Sequence, residues 1–314
     1  MTLITLKSGE QVDDIVALAK ALIRPNDLAN GGQLQPQEAD KLISMIFDDT
    51  FLSKVNTIKM MRLERNIDAI DVGGRQLVRV AQGDEPADDQ TANAGEHGSV
   101  LRALSVQLFP TLTLDFLRAN KDNPKLLQVL EKAFSTRLRE DLVDLAFNGL
   151  NDDGGGSTQP EKFVRLNKGW VQIALEAGDT PKIDIDPETD GWTATLAAIM
   201  DGGDERWRAQ SAFIMNLADA DTYARQLGAH VTGTPLVADS PLRRFEGYPI
   251  EAHPKMPRGR VLFTPLKNLV YGLHADIHRD KAYHQRRRVL EYTFDMAVDY
   301  EIAVKQACVL GKPA

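Results

Sequence analysis

The sequence predicts a mixed α+β fold, and three observations support this prediction. Apolar side chains recur at helical spacing over residues 123–149, which indicates one long helix. Alternating apolar and polar residues, typical of strands, occur before this helix and fill the C-terminal end. No strand–helix–strand repeat is visible, so we expect strands that pair across long stretches of chain.

Composition indicates an ordinary soluble protein that is acidic. The chain has 314 residues, 43% of them hydrophobic and 26% charged, with a formal net charge of −8. An acidic chain is a poor general binder of nucleic acid, because phosphates attract cations. No apolar run approaches the ~18 residues of a membrane span. Cys308 is the only cysteine, and its apolar neighbours predict a buried structural thiol.

Residues 1–50 contain two predicted amphipathic helices, over 11–24 and 36–49, joined by a loop rich in Gly, Asn and Pro. Two short helices bury little apolar surface by themselves. We therefore expect this segment to pack against the core of its own chain or against another subunit.

Residues 60–102 are predicted to form a long β-hairpin arm. Strand-like runs flank a polar, acidic segment rich in Gly and Ala over residues 80–99. A polar loop of this length inside a compact domain is uncommon and usually functional or disordered.

The long helix over 123–149 has predicted signals at both ends. Asn123 is a candidate cap, Pro124 suits the first helical turn, and Gly149 is expected to end the helix in the left-handed region. A rod of about 25 residues is roughly 38 Å long. In a chain without a catalytic signature, such a rod suggests a structural scaffold.

The rest of the chain alternates between short helices and strands. The pattern predicts a helix over 190–201 capped by Asp190 and a buried strand over 211–217, followed by a helix from Asp219 to about Leu227. Further strands are predicted over three short segments, which are 248–252, 260–264 and 269–273. Strands are also predicted along most of the C-terminal end.

Several groups of residues could carry chemistry, but each has a simpler interpretation. The glycines at 154–156 lack the Lys-Ser/Thr of a phosphate-binding loop and are typical of a turn. The paired acids Asp88-Asp89 and Asp152-Asp153 lie in polar loops, where solvated carboxylates are normal.

A histidine-rich segment is the remaining candidate for an active site. His274, His278 and His284 occur with Asp276 and Asp280. If the segment is one strand, residues 274 and 278 lie roughly 13 Å apart, which is too far for one zinc ion. We expect no catalytic, cofactor or metal site, and a metal-dependent enzyme is the weaker alternative.

Arg286, Arg287 and Arg288 form a basic patch in an acidic chain. The patch could contact nucleic acid or an acidic surface of a neighbouring subunit, and we favour the neighbour. The candidate intersubunit contacts are therefore the three arginines and four acidic residues of the arm: Asp84, Glu85, Asp88 and Asp89.

The order of these parts, with five short motifs, resembles the major capsid protein of tailed bacteriophages, which has the Johnson fold. The motifs most resemble the peduovirus-type subgroup, and the resemblance covers about residues 50–310. They are Ala146-Phe147-Asn148-Gly149, Asn167-Lys168-Gly169-Trp170, Gly247-Tyr248-Pro249, LKNLVYGLHADIHRD at 266–280 and VDYEIAVKQACVL at 298–310.

The resemblance implies an α+β protein made of an N-terminal arm, an extended β-hairpin loop, a peripheral domain with a long spine helix, and an axial domain. The implied divisions are 1–50 for the arm, 60–102 for the loop, 51–59, 103–150 and 276–297 for the peripheral domain with spine helix 123–149, and 151–275 with 298–314 for the axial domain.

The resemblance also implies a function without an active site or cofactor. Copies of the chain assemble as pentamers and hexamers into an icosahedral shell around double-stranded DNA, which the shell encloses non-specifically. The implied partners are a separate scaffolding protein, a portal and a decoration protein, with no membrane. The implied location is the virion capsid, assembled in the bacterial host cytoplasm. An encapsulin-like nanocompartment on the same fold is the alternative.

Overall fold

The computed structural model describes residues 51–72, 94–119, 126–151, 156–230, 244–274 and 277–314. Within these ranges the chain forms three β-sheets and seven α-helices. The helices are α1 (Leu114–Ala119), α2 (Leu126–Asn148), α3 (Gln159–Val164), α4 (Trp170–Glu176), α5 (Gly191–Asp201), α6 (Glu205–Arg208) and α7 (Leu217–His230).

The first sheet gathers strands from both ends of the described chain. Its strands are β1 (Asn56–Met60), β4 (Leu104–Leu108), β5 (Thr111–Thr113), β11 (Leu269–His274), β12 (His278–His284) and β13 (Val289–Ile302). The long strand β13 is its centre, because β11, β12, β4 and β5 all pair with it in antiparallel register. Strand β1 pairs with β11 in parallel.

The second sheet is built from the middle of the chain and its C-terminal end. Its order is β6-β14-β10-β7-β9-β8. These strands are β6 (Lys182–Ile185), β7 (Ser211–Asn216), β8 (Arg244–Phe245), β9 (Tyr248–His253), β10 (Val261–Pro265) and β14 (Val309–Pro313). All of β7 and β10 is buried, as expected of central strands covered on both faces.

The third sheet is a single hairpin. Strand β2 (Glu64–Val72) pairs in antiparallel register with β3 (Ala94–Arg102), so that Glu64 faces Arg102 and Val72 faces Ala94. The segment between these strands lies outside the described residues.

The long helix α2 joins the first sheet through a buried core. It has 23 residues and is about 35 Å long. Leu138, Leu142 and Leu145 are buried on one side. The hydroxyl of Tyr300 in β13 donates a 2.7 Å hydrogen bond to the carbonyl oxygen of Leu142. The predicted helix is confirmed, although Asn123 and Pro124 lie outside the described residues.

The end of α2 differs from the prediction. Gly149 is not among the residues with positive φ, so it does not adopt the left-handed conformation. A Cβ on Gly149 would instead lie 2.6 Å from the Leu145 carbonyl oxygen and 2.9 Å from the Gly169 nitrogen, and would overlap the Asn167 carbonyl oxygen. Glycine is required there because two stretches of backbone approach closely.

The start of α5 also differs from the prediction. Asp190 precedes the helix, but its side chain makes no capping hydrogen bond. The side-chain oxygen of Gln226 in α7 accepts the Trp192 N–H at 2.9 Å instead. A tertiary contact therefore replaces the predicted local cap. The predicted strands and the helix that follows 216 are confirmed with boundaries shifted by one to three residues.

The two large sheets divide the chain differently from the predicted boundaries. The implied boundary between the peripheral and axial domains at residues 297 and 298 lies inside β13. This strand is one continuous strand of the first sheet. Strand β11 was assigned to the axial part, yet it pairs with β1 and β13. These pairings join strands distant in sequence, which the pattern does not show. The division into peripheral and axial domains stays a prediction.

Candidate assembly surfaces

The hairpin contacts the first sheet through a short segment that we call the hairpin root, residues 98–103. The backbone N–H of Arg102 donates a 2.6 Å hydrogen bond to Oδ2 of Asp299 in β13. The hydroxyl of Ser99 donates a 3.3 Å bond to the carbonyl oxygen of Ile302. The hairpin is thus fixed at one end of β3 to one end of β13.

A small apolar cluster underlies the hairpin root. Its buried members are Met60, Leu101, Ala103, Val270 and Ala297. Gly272 gives these side chains room, because a Cβ there would lie 2.8 Å from Sδ of Met60. The root therefore covers the face of the first sheet opposite to α2.

Apolar side chains are exposed where the hairpin begins. Met61 is 81% exposed and Leu63 is 55% exposed, and Val100 on β3 is also exposed. An isolated two-stranded hairpin is marginally stable in water. This surface is therefore a candidate contact with another chain.

The basic patch forms the turn between β12 and β13. Arg286, Arg287 and Arg288 are all exposed. The backbone of Arg288 adopts the left-handed conformation, with a φ of 53°. Its carbonyl oxygen accepts a 3.0 Å hydrogen bond from the Leu114 N–H. The predicted acidic partners Asp84, Glu85, Asp88 and Asp89 lie outside the described residues, so their pairing with the arginines stays a prediction.

The sequence pattern is compatible with one strand for the histidines, but the structure places them on two strands. His274 ends β11, and His278 and His284 stand at opposite ends of β12. Nε2 of His284 lies 2.9 Å from a carboxylate oxygen of Glu291 on β13. Among the described residues, which exclude Asp276, no three His, Cys, Asp or Glu side chains are grouped closely enough to hold a metal ion.

An apolar groove of about 520 Å³ separates β4 from α2 and α3. Leu138, Leu142 and Phe163 line it, and Phe109 and Leu166 flank it. The two flanking side chains are 53% and 42% exposed. The groove could accommodate an apolar side chain of another segment or subunit.

One rim of this groove is charged. Asp141 lies there and pairs with Arg137 at 2.9 Å. Burial raises the pKa of Asp141, and the Arg137 guanidinium partly offsets this shift.

No protein-family model and no curated protein matches this sequence. Solved structures do match. A chain of the procapsid of satellite phage P4, in a structure that includes the size determination (Sid) protein, is 15% identical with a TM-score of 0.72. The match covers 89% of this chain and 91% of that chain.

The chain has the phage major capsid protein fold. A capsid structure of the native GTA particle is 13% identical with a TM-score of 0.57, covering 83% of this chain and 89% of that chain. A virus-like particle from Pyrococcus furiosus is 9% identical with a TM-score of 0.53, covering 88% of this chain and 98% of that chain. These matches confirm the predicted α+β class and the predicted capsid fold.

Within the capsid fold, sequence reasoning missed the hairpin root and the groove. The run Val298-Asp299-Tyr300-Glu301-Ile302 alternates, and this pattern predicts that both acids face solvent. The hairpin root covers that face, so both acids are half-buried. Gly272 was a signal for this contact, because a glycine in a buried strand often marks a close approach of backbone.

The described helices include none long and apolar enough to cross a membrane. Cys308 is fully buried, as predicted, and burial raises the pKa of its thiol to about 12.

Proposed function

We propose that this chain is the major capsid protein of a bacteriophage and that it self-assembles into the icosahedral shell of the head. The observation that carries the proposal is the similarity to the P4 procapsid chain over nine-tenths of both chains. A match at 15% identity establishes the fold, and the surfaces described above supply the independent support for assembly.

The proposed subunit arrangement is pentamers and hexamers. In this proposal α2 and the first sheet form the peripheral domain, and the second sheet with α5 and α7 forms the axial domain. The β2–β3 hairpin is the extended loop, and residues 1–50 are the N-terminal arm.

The hairpin is the proposed intersubunit arm. It leaves the first sheet through the hairpin root, and its two strands pair only with each other in the described chain. The exposed Met61 and Leu63 supply apolar surface at its base. A neighbouring subunit would bury this surface, which favours association by about 25 cal/mol per Å².

The basic turn is the second proposed contact. Arg286, Arg287 and Arg288 would meet the acidic residues of a neighbouring arm. Each exposed pair contributes on the order of 0–1 kcal/mol, but a shell repeats every contact many times. High salt should therefore weaken assembly, because added salt shortens the screening length below its physiological value of about 8 Å.

The proposed partners follow the same hypothesis. They are a separate scaffolding protein, a portal, a decoration protein and the double-stranded DNA that the shell encloses. The proposed location is the virion capsid, with assembly in the host cytoplasm.

Expression of the full chain, with and without a co-expressed scaffolding protein, tests the function. Negative-stain microscopy should show closed shells tens of nanometres wide. Protein that stays monomeric in both conditions would contradict the proposal. Shells that enclose a protein cargo and form without any phage partner would favour the nanocompartment alternative.

A shortened hairpin tests the arm. Residues 73–93 are replaced by an Asn-Gly turn, which suits a two-residue hairpin loop and leaves the paired strands in register. We expect a folded subunit, shown by an unchanged circular dichroism spectrum, that fails to form stable shells. Normal shells from this variant would contradict the proposed role of the arm.

A further inference from the structure

Asp299 occupies the point at which the hairpin joins the first sheet. Its Oδ2 accepts the backbone N–H of Arg102, the last residue of β3, at 2.6 Å. The next backbone N–H, that of Ala103, donates to the carbonyl oxygen of Leu63 at 2.8 Å, which closes the base of the hairpin. The Asp299 carboxylate therefore connects the hairpin to the sheet, together with the Ser99–Ile302 hydrogen bond.

The carboxylate lies on an apolar face. Asp299 faces Gly272 across the β11–β13 pair, and Glu301 faces Val270 on the same side. The buried side chains of Met60 and Leu101 cover this side. Asp299 thus loses much of its hydration when the hairpin root is in place.

Few charged groups face Asp299 among the described residues. The Arg102 guanidinium lies near it and also pairs with Glu64 of β2 at 3.6 Å. Glu301 adds a second negative charge from the same strand. Strands β11 and β1 contribute Gly272 and Ile58 at the same level, and neither is charged.

We propose that Asp299 is a positioning residue for the hairpin: its neutral form holds the hairpin root against the first sheet, and its ionised form favours release of the root. The root fixes the direction in which the rest of the hairpin points. The ionisation state would therefore set how freely the arm can reach a neighbouring subunit, and this consequence rests on the proposed function.

The direction of the effect follows from proton linkage. Burial raises the pKa of Asp299 to about 6, and the negative charge of Glu301 adds to this rise. The backbone N–H groups of Arg102 and Tyr300 oppose the rise, as does the positive charge of Arg102. A solvated aspartate, as in the released root, has a pKa of about 3.9. The docked root binds more protons between these two values, so docking strengthens as the pH falls from 7 towards 4.

Hydrogen exchange on the unassembled full-length subunit tests this proposal. Protection factors, which correct for the intrinsic pH dependence of exchange, are compared at pH 7 and pH 5 for peptides that contain residues 98–104. With pKa values of about 6 and 3.9, the wild-type protection should rise by about tenfold at pH 5.

Two variants separate Asp299 from other acids. Asp299→Asn keeps an oxygen that can accept the Arg102 N–H but cannot ionise, so its protection should be high at both pH values. Asp295→Asn is the matched control, because Asp295 lies on the same strand and accepts hydrogen bonds from Ser105 and Gln107 of β4. The control should keep the tenfold rise.

A rise that persists in Asp299→Asn, or that is absent from the wild type, would overturn the proposal. If Asp299→Asn does not fold, carbon-13 NMR of the wild-type carboxyl groups decides: an Asp299 midpoint near 6 supports the proposal and one near 4 overturns it. Both measurements use the unassembled subunit, so they remain informative if the chain forms no shells and the proposed function fails.

Discussion

Substitution of Gly149 by alanine tests the packing at the end of α2. The Gly149 N–H donates to the Leu145 carbonyl at 2.9 Å, and its own carbonyl accepts the Gly169 N–H at 2.9 Å. The residue thus joins the end of α2 to the start of α4. A Cβ would meet backbone atoms of Leu145, Asn167 and Gly169 at or below 2.9 Å.

The expected cost follows from the nature of these atoms. Backbone atoms cannot rotate away as the end of a flexible side chain can, so α2 and the segment at 167–169 must move apart. Overpacking of this kind costs about 1–3 kcal/mol. The movement would also strain the buried 2.8 Å hydrogen bond from Nδ2 of Asn167 to the Val298 carbonyl, a bond contributing about 1 kcal/mol. We expect Gly149→Ala to lower the free energy of unfolding by about 2–4 kcal/mol.

Urea unfolding of the unassembled subunit measures this loss. Gly178→Ala is the control, because Gly178 is exposed, lacks a positive φ and has open space where a Cβ would be. The control should be neutral or stabilising by up to about 1 kcal/mol.

A second substitution, Gly149→Asn, separates close approach from backbone conformation. A left-handed site tolerates asparagine better than alanine, whereas a crowded site tolerates the larger asparagine no better. A loss below about 0.5 kcal/mol for Gly149→Ala, or a clear advantage of asparagine over alanine, would refute the close-approach explanation.

Four further predictions concern the core, the thiol, pH and assembly. Leu138→Ala should lower the free energy of unfolding in urea by about 2–5 kcal/mol, since Leu138 is 7% exposed. Val129→Ala, at a 58% exposed position of the same helix, should lower it little. Equal losses for the two variants would contradict this packing. Cys308 should resist a maleimide at pH 8 until urea unfolds the subunit, because the thiol is buried and its pKa is about 12; rapid labelling of folded protein would be the contrary result. The wild type should gain stability as the pH drops from 7 to 5, because Asp299 binds a proton in the folded state, whereas Asp299→Asn should not. The free energy of unfolding of the variant should therefore fall relative to that of the wild type. A pH-independent difference would argue against burial of the charge. Arg287→Glu should leave the subunit folded but block shell formation, as seen by light scattering; normal shells that enclose less DNA would instead place the arginines against the genome.

The sequence predicted those parts of the fold that arise from local periodicity. The spacing of leucines indicated α2, and uninterrupted apolar runs indicated strands such as β7 and β10. The apolar neighbours of Cys308 indicated its burial. In each case the pattern along a single segment reports which face meets the core.

The tertiary structure decided the features that depend on two distant segments. Gly149 has its role because residues 167–169 pack against it, and Asp299 is half-buried because the hairpin root covers a face that alternation alone predicts to be exposed. The helix α5 has no Asp190 cap because Gln226 reaches its first turn. The sequence pattern records the hydrophobic preference of each segment, but not which segment packs against it, and that choice sets the conformation of a glycine and the pKa of an acid.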